Sequence, residues 1–215
     1  MSHIRPFCTA LSSLGYAVWS IEYRRVGNGG EWPVMFTDVG AAADRLREVA
    51  DAQNLDLSRV AAIGHSAGGH LALWLASRHK KLVSEAHVGS PINLIGVVSL
   101  AGITDLADTL ATNICTGNVI NLMGGTPQQW PARYAAASPI ELAPLGVPQY
   151  LIHGRHDDDV PLAHVQPYVA RAQACGDNVT LAVIEDCGHF ELVTPNSIAW
   201  PHIQRSLATL FQQTP

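Results

Sequence analysis

The sequence predicts an α/β protein, a three-layer αβα sandwich in which helices cover both faces of a mostly parallel sheet. Short apolar runs rich in β-branched residues alternate with stretches of helical periodicity along the chain, which is the pattern of strand–helix–strand units. The strand-like runs are apolar on both faces, as buried parallel strands are. The 215 residues suffice for one sizeable core, and we expect a single domain over residues 1–215.

Each element follows from its local pattern. Strands are expected at residues 16–23, 60–63, 94–100, 149–153 and 179–184. Helices are expected at residues 4–14, 36–53, 67–79, 162–175 and 197–211. Residues 103–145 interrupt this alternation with small, Pro- and Gly-containing segments. Because this stretch lies between two strands, on the side where ligands bind in such sheets, we expect a small cap or an irregular insertion there.

Composition excludes several classes of function. The formal charge of −5 and the pI near 6.0 give no basic surface for nucleic acid. No apolar run approaches the length of a membrane span, and the first residues lack the pattern of a signal peptide. Cys8, Cys115, Cys175 and Cys187 show no close pairing, so we expect reduced thiols and a cytoplasmic protein. No group of histidine, cysteine and carboxylate residues has zinc-like spacing, so neither a metal nor another cofactor is expected.

The most informative motif is Gly-His-Ser-Ala-Gly at residues 64–68, between an expected strand and an expected helix. In that setting the motif predicts a nucleophile elbow, a tight turn that holds the Ser66 hydroxyl clear of the sheet. The backbone N–H of Ala67 then points to the place where an acyl oxyanion forms. A chance match of this short pattern is the alternative. We expect His65 and His70 to shape the wall of the pocket rather than to catalyse.

A serine nucleophile needs a base, and the base needs an anion that holds its tautomer. His189 lies on a loop after the last expected strand, which favours it as the base. Asp157, Asp158 and Asp159 follow the preceding strand, and like charges so close together cannot all be buried. At most one of them therefore faces His189, and the others are solvated or cap the helix that begins near Pro161.

Four stretches of the sequence resemble the α/β-hydrolase superfamily, and together they span essentially the whole chain. They are residues 23–25 with 32–33 and 38–39, the elbow at 63–72, His-Gly-x-x-Asp-x-x-Val-Pro at 153–161, and Gly-His-Phe at 188–190. They are most similar to esterase-like members related to prolyl-oligopeptidase-type and kynurenine formamidase-like hydrolases. The resemblance implies an α/β-hydrolase fold, and it assigns the acid of the triad to Asp157, beside Ser66 and His189.

The resemblance ends at the start of the chain. Family members carry an upstream strand that ends in a His-Gly-Gly loop, whose backbone N–H groups supply the other half of the oxyanion hole. Nothing similar precedes Ile4, so an N-terminally shortened fold is expected. Either residues 16–23 then pair directly with 60–63 or an intermolecular contact fills the gap, and activity is weaker than in complete relatives. A strand formed by residues 1–15 would overturn this hypothesis.

Together the residues predict a serine hydrolase that cleaves carboxylic esters of small to medium acyl or aryl groups through an acyl-enzyme. Trp32 and His65 are the candidate substrate-binding residues, and Trp130 and Tyr134 are further candidates for lining a pocket. Cleavage of amides or peptides by the same triad is the alternative among enzymes. A catalytically weak binding protein with a hydrolase fold is the alternative from another class. The expected partner is a small-molecule ester, not a nucleic acid or a membrane, and a homo-oligomer stays open.

Overall fold

The computed structural model describes residues 4–80, 85–86 and 89–212. Its strands are Ala61–His65 (β1), Gly96–Leu100 (β2), Gln149–Gly154 (β3) and Val179–Ile184 (β4). Its helices are Arg5–Ser13 (α1), Val34–Asp44 (α2), Leu46–Gln53 (α3), Ala67–Ser77 (α4), Asp108–Thr112 (α5), Thr116–Met123 (α6), Pro131–Ala137 (α7), Pro139–Leu142 (α8), Leu162–Ala174 (α9) and Trp200–Gln212 (α10). A 3₁₀ helix covers Phe190–Val193. The predicted alternation of strands and helices is confirmed from β1 to α10.

The four strands form one parallel sheet in the order β1-β2-β3-β4. Because successive side chains of a strand point to opposite faces, neighbouring residues of β2 and β3 enter different apolar clusters. Val97 and Leu151 pack with residues of α2, α4 and α9, whereas Val98 and Ile152 pack with residues of α1 and α10. Helices therefore cover both faces of the sheet, and the predicted sandwich is confirmed.

The stretch at 103–145 is helical rather than irregular, since it contains the four short helices α5 to α8. Its buried side chains, among them Leu106, Met123 and Tyr134, belong to the same apolar cluster as α2, α4 and α9. The insertion therefore packs on the same face of the sheet as α4. The helix expected at 36–53 is divided into α2 and α3 at Arg45.

The strand predicted at residues 16–23 is wrong. These residues are neither helix nor strand, and within the described residues β1 pairs with β2 only, so the expected pairing of 16–23 with 60–63 is wrong as well. The run does have the alternation of a strand: Val18 packs in the cluster with α1 and α10, and Ile21 packs on the opposite face. Alternation alone does not make a strand, because a strand also needs a neighbour within hydrogen-bonding distance.

The burial of β1 agrees with the absence of a second pairing partner for this strand among the described residues. All five residues of β1 are half-buried, whereas all five residues of β2 are buried. Residues 5–13 form α1 and not a strand, and residues 1–3 lie outside the described part of the chain. The intermolecular alternative for filling the gap stays a prediction.

Two observations bear on the compartment of the protein. The cysteines at positions 8, 115, 175 and 187 are all free thiols. Among the described residues, no helix is both long enough and apolar enough to cross a membrane. The cytoplasmic location itself stays a prediction.

Candidate active site

Ser66 lies between β1 and α4 in a backbone conformation that non-glycine residues rarely adopt, with φ 55° and ψ −120°. Its N–H donates to the carbonyl of Leu100 at the end of β2 (2.8 Å), which fixes the turn to the neighbouring strand. Gly64 has to be glycine here, because a Cβ would lie 2.0 Å from the carbonyl oxygen of Gly68. The sequence thus forms the sharp strand-to-helix turn that the motif predicts.

Asp157 and His189 form a buried pair on the loops that follow β3 and β4. Nδ1 of His189 lies 2.7 Å from Oδ2 of Asp157, and the Asp157 side chain is 0% exposed. The other carboxylate oxygen, Oδ1, accepts the backbone N–H groups of Asp159 (3.0 Å) and Val160 (2.7 Å). The loop of Asp157 therefore holds this carboxylate independently of its bond to His189.

The charge state of Asp157 decides the tautomer of His189. Burial raises the pKa of the Asp157 carboxyl, but the hydrogen bonds from His189 and from the Val160 N–H, with the nearby imidazoles, outweigh it and lower that pKa overall. A carboxylate only accepts hydrogen bonds, so Nδ1 of His189 carries a hydrogen. In the neutral imidazole the lone pair is then on Nε2, the nitrogen that a general base uses.

His65, the last residue of β1, contacts the histidine of this pair. Its Nε2 lies 2.9 Å from the carbonyl oxygen of His189, and the two rings are 4.3 Å apart between centroids. Phe190, which is 62% exposed, meets the His189 ring edge-on at 5.2 Å. The structure thus joins the elbow strand to the histidine loop through His65, a residue predicted to bind substrate.

The other candidates for the acid and the pocket have separate positions. Asp158 and Asp159 are exposed, in agreement with only one aspartate of the three facing His189. His70 is buried, and its Nδ1 lies 2.9 Å from the carbonyl oxygen of Ile103. Ala67 is exposed at the first position of α4.

The aromatic candidates contact regions other than the Asp157–His189 pair. Trp32 stacks against Phe36 at 5.4 Å and donates from Nε1 to the carboxylate of Glu85 (3.1 Å). Tyr134 is buried and its hydroxyl donates to a backbone carbonyl, as a core tyrosine does. Trp130 is 42% exposed beneath the guanidinium of Arg133. A role for these rings in binding substrate stays a prediction.

A second aspartate–histidine pair was not found from the sequence. His164 at the beginning of α9 bonds through Nδ1 to Oδ2 of Asp108 (2.8 Å). Its Nε2 accepts the backbone N–H of Thr104 (3.1 Å). The two residues are 56 positions apart and belong to no motif, so only the fold brings them together.

Three atoms that could bind a cation lie close together at the Asp157–His189 pair. One atom each from Asp157, Asp159 and His189 lie within 4.8 Å of one another. Spacing in the sequence did not indicate this group, because His189 is 32 residues from Asp157. His189 Nδ1 and the Asp157 carboxylate already bond to each other, so a cation that used both would have to break that bond.

Comparison with known proteins identifies a family and a curated relative of this chain. The sequence profile of the BD-FAE family matches residues 1–170. Esterase LipC of Mycobacterium tuberculosis (strain ATCC 25618 / H37Rv) is 28% identical over 172 residues, which cover 76% of this chain and 42% of LipC. The chain thus spans about two fifths of the length of this curated relative.

Solved structures share the fold at low identity. The acetyl ester-xyloside bifunctional hydrolase from Caldicellulosiruptor lactoaceticus superposes with a TM-score of 0.77 at 22% identity, covering 98% of this chain and 78% of that one. The carboxylesterase Cest-2923 from Lactobacillus plantarum WCFS1 superposes with a TM-score of 0.73 at 18% identity, covering 99% and 80%. Since the family profile matches most of the sequence and the fold is shared, the chain belongs to the BD-FAE family of the α/β-hydrolase superfamily.

Proposed function

We propose that this chain is a serine hydrolase that cleaves carboxylic esters of small to medium acyl or aryl groups. The observation that carries the proposal is the buried Asp157–His189 pair, whose imidazole bonds to the carboxylate through Nδ1 and keeps Nε2 for a second partner. Ser66 follows β1 at the same edge of the parallel sheet, in the strained turn described above. A nucleophile, an acid and a base in this order along the chain (Ser66, Asp157, His189) are typical of α/β-hydrolases.

The reaction begins with attack of Ser66 Oγ on the ester carbonyl carbon, while His189 Nε2 takes the hydroxyl proton. The tetrahedral intermediate collapses as His189 returns that proton to the leaving alkoxide, and an acyl-enzyme and an alcohol result. Water then attacks the acyl-enzyme with His189 again as the base, which releases the carboxylic acid and restores the serine. The Asp157 carboxylate stabilises the imidazolium that forms in both half-reactions.

The oxyanion of the intermediate needs hydrogen-bond donors. We assign one to the backbone N–H of Ala67, because this residue opens α4 and the first N–H groups of a helix have no partner within it. Each donor contributes roughly 10²–10³-fold in rate.

The comparisons support the ester part of the proposal more than its details. The curated relative is named an esterase, and one structural neighbour is titled a carboxylesterase. Amide or peptide cleavage uses the same residues with a poorer leaving group, so it remains the competing proposal. The substrate class must be decided by turnover.

The deciding measurement is hydrolysis of p-nitrophenyl acetate and p-nitrophenyl butyrate by wild type and Ser66→Ala. We expect Ser66→Ala to lose at least about 10³-fold in kcat/KM, because no other group takes over the nucleophile. Ser12→Ala, the same change at an exposed position of α1, should match wild type. Equal rates for wild type and Ser66→Ala would refute the proposal. Faster turnover of p-nitroacetanilide than of the acetate ester would favour the amidase alternative.

A further inference from the structure

We propose that His65 is a positioning residue that holds the base in line with the nucleophile, rather than a residue that binds substrate. It does so by donating a hydrogen bond from Nε2 to the carbonyl of His189 and by covering the His189 ring. This inference rests on the proposed function, in which Ser66 is the nucleophile and His189 the base.

The place of His65 in the fold gives it this role. His65 ends β1 and is the neighbour of Ser66 in the chain, whereas the loop of His189 follows β4. β2 and β3 lie between these two strands in the sheet. The loop after β4 must therefore reach back across the sheet edge, and the bond between His65 and the His189 carbonyl (2.9 Å) joins residues 124 positions apart.

The chemistry of the contact fixes its direction. A carbonyl oxygen can only accept, so Nε2 of His65 carries the hydrogen and donates it. The same nitrogen is then occupied and is not offered to a substrate. The ring of His65 lies 4.3 Å from that of His189, centroid to centroid, at an interplanar angle of 50°.

Asp157 alone does not determine where the base points. Its hydrogen bond holds the His189 ring at one nitrogen, Nδ1, about which the ring can still pivot. His65 fixes the main chain of the base and one face of its ring, and Phe190 meets the ring edge-on at 5.2 Å. These contacts direct Nε2, and small displacements of a catalytic group are costly, roughly 10²-fold for about 1 Å.

Three variants separate the two parts of the contact, since two of them keep one part each and the third keeps neither. His65→Phe keeps a ring and loses the donor, His65→Gln keeps a donor at a similar reach and loses the ring, and His65→Ala loses both. We expect kcat for p-nitrophenyl acetate to fall about tenfold in His65→Phe and about thirtyfold or more in His65→Ala. In His65→Gln we expect kcat within about threefold of wild type, and KM within about twofold in all three.

The split between kcat and KM decides between positioning and binding. A rise in KM with unchanged kcat in His65→Phe would overturn the inference in favour of substrate binding. So would wild-type kcat in all three variants, or a His65→Gln protein as slow as His65→Ala. Thermal unfolding of each variant shows whether a slow variant is folded. The deciding variant is His65→Gln, because it keeps the hydrogen-bond donor.

A second readout does not depend on turnover. In protein labelled with ¹⁵N-histidine, the His65 resonances are assigned by their loss in His65→Phe. We expect Nε2 of His65 to be protonated and slow to exchange at neutral pH, because it donates to a partly buried loop carbonyl. An unprotonated Nε2 would overturn the contact itself. Equal activity of Ser66→Ala and wild type would instead show that the proposed function has failed, so the two failures are distinguishable.

Discussion

Two hydrogen-bonded aspartate–histidine pairs lie in different parts of the described chain, and their Nδ1–carboxylate bonds have nearly the same length. His189 bonds through Nδ1 to Asp157 at 2.7 Å on the loops after β3 and β4. His164 bonds through Nδ1 to Asp108 at 2.8 Å, where the 103–145 insertion meets α9. Both histidines are buried. The difference between the pairs lies in what surrounds that bond.

The two pairs differ at the Nε2 atom of the histidine. Nε2 of His164 accepts the Thr104 N–H, so its lone pair is already used within the fold. The carboxylates differ as well, since the side chain of Asp108 is 38% exposed and that of Asp157 is 0% exposed. Under the proposed function, a bonded Asp–His pair is therefore not in itself enough for catalysis. The other nitrogen must be kept for a reacting group, and the carboxylate must be shielded from water.

The largest effect is expected from Asp157→Asn, which changes the pair that we propose to be catalytic. The amide still accepts the N–H groups of Asp159 and Val160, so the loop should keep its shape. It cannot hold the Nδ1–H tautomer of His189 or stabilise an imidazolium as a carboxylate does. We expect kcat for p-nitrophenyl acetate to fall roughly 10³–10⁴-fold, measured under saturating substrate.

The control for that loss is the folded state of the variant. Its near-ultraviolet circular dichroism and thermal unfolding should stay close to those of wild type. A folded Asp157→Asn protein that keeps more than a tenth of the wild-type kcat would contradict the assignment of Asp157 as the acid.

The hydrogen-bonded Asp157–His189 pair was predicted from the sequence, whereas the Asp108–His164 pair was not. Ser66, Asp157 and His189 each follow a strand within a recognisable motif, and parallel strands bring such positions to one edge of the sheet. The Asp108–His164 pair has no such signal, because α5 and α9 meet only through packing of the insertion. The bond between His65 and the His189 carbonyl was missed for the same reason, since the two residues are 124 positions apart.

The strand predicted at residues 16–23 failed on a different physical ground. Its side chains alternate as those of a strand do and pack on both faces of the sheet. Pairing, however, depends on a neighbouring backbone, and local sequence does not reveal whether one is within reach. The helical content of 103–145 was missed because its helices are short, and short helices are stabilised by packing more than by periodicity.

Another buried histidine sharpens the comparison, because His70 has no carboxylate partner in the part of the chain that the structure describes. Its Nδ1 meets the Ile103 carbonyl, and Nε2 has no hydrogen-bond partner among the described residues. Burial lowers the pKa of His70 from 6.5 to about 4; the Ile103 hydrogen bond opposes this, and the charge of His164 adds to it. Below pH 6.5 His70 is therefore protonated in the unfolded chain, whereas it stays neutral in the folded protein until the pH approaches 4.

That difference predicts how stability depends on pH. The contribution of neutral His70 to the free energy of unfolding is fully present above pH 6.5 and is lost as the pH falls towards 4. Between pH 7.5 and pH 5, His70 should therefore lower the free energy of unfolding by about 2 kcal/mol. His70→Asn keeps a donor for the Ile103 carbonyl and does not titrate. Urea unfolding at the two pH values should show the smaller decrease in His70→Asn. The same decrease in both proteins would show that His70 is not held neutral.

The smallest effect is expected from Asp108→Asn, the matched change in the Asp108–His164 pair. The amide oxygen that replaces the carboxylate would still accept from His164 Nδ1–H, and water reaches this position because the aspartate is 38% exposed. The free energy of unfolding should therefore fall by no more than about 1 kcal/mol, and kcat should stay within about twofold of wild type. Urea unfolding and p-nitrophenyl acetate kinetics on the same preparation measure both. If Asp108→Asn instead lost activity on the scale of Asp157→Asn, then occupation of Nε2 would not be what separates a structural Asp–His pair from a catalytic one in this fold.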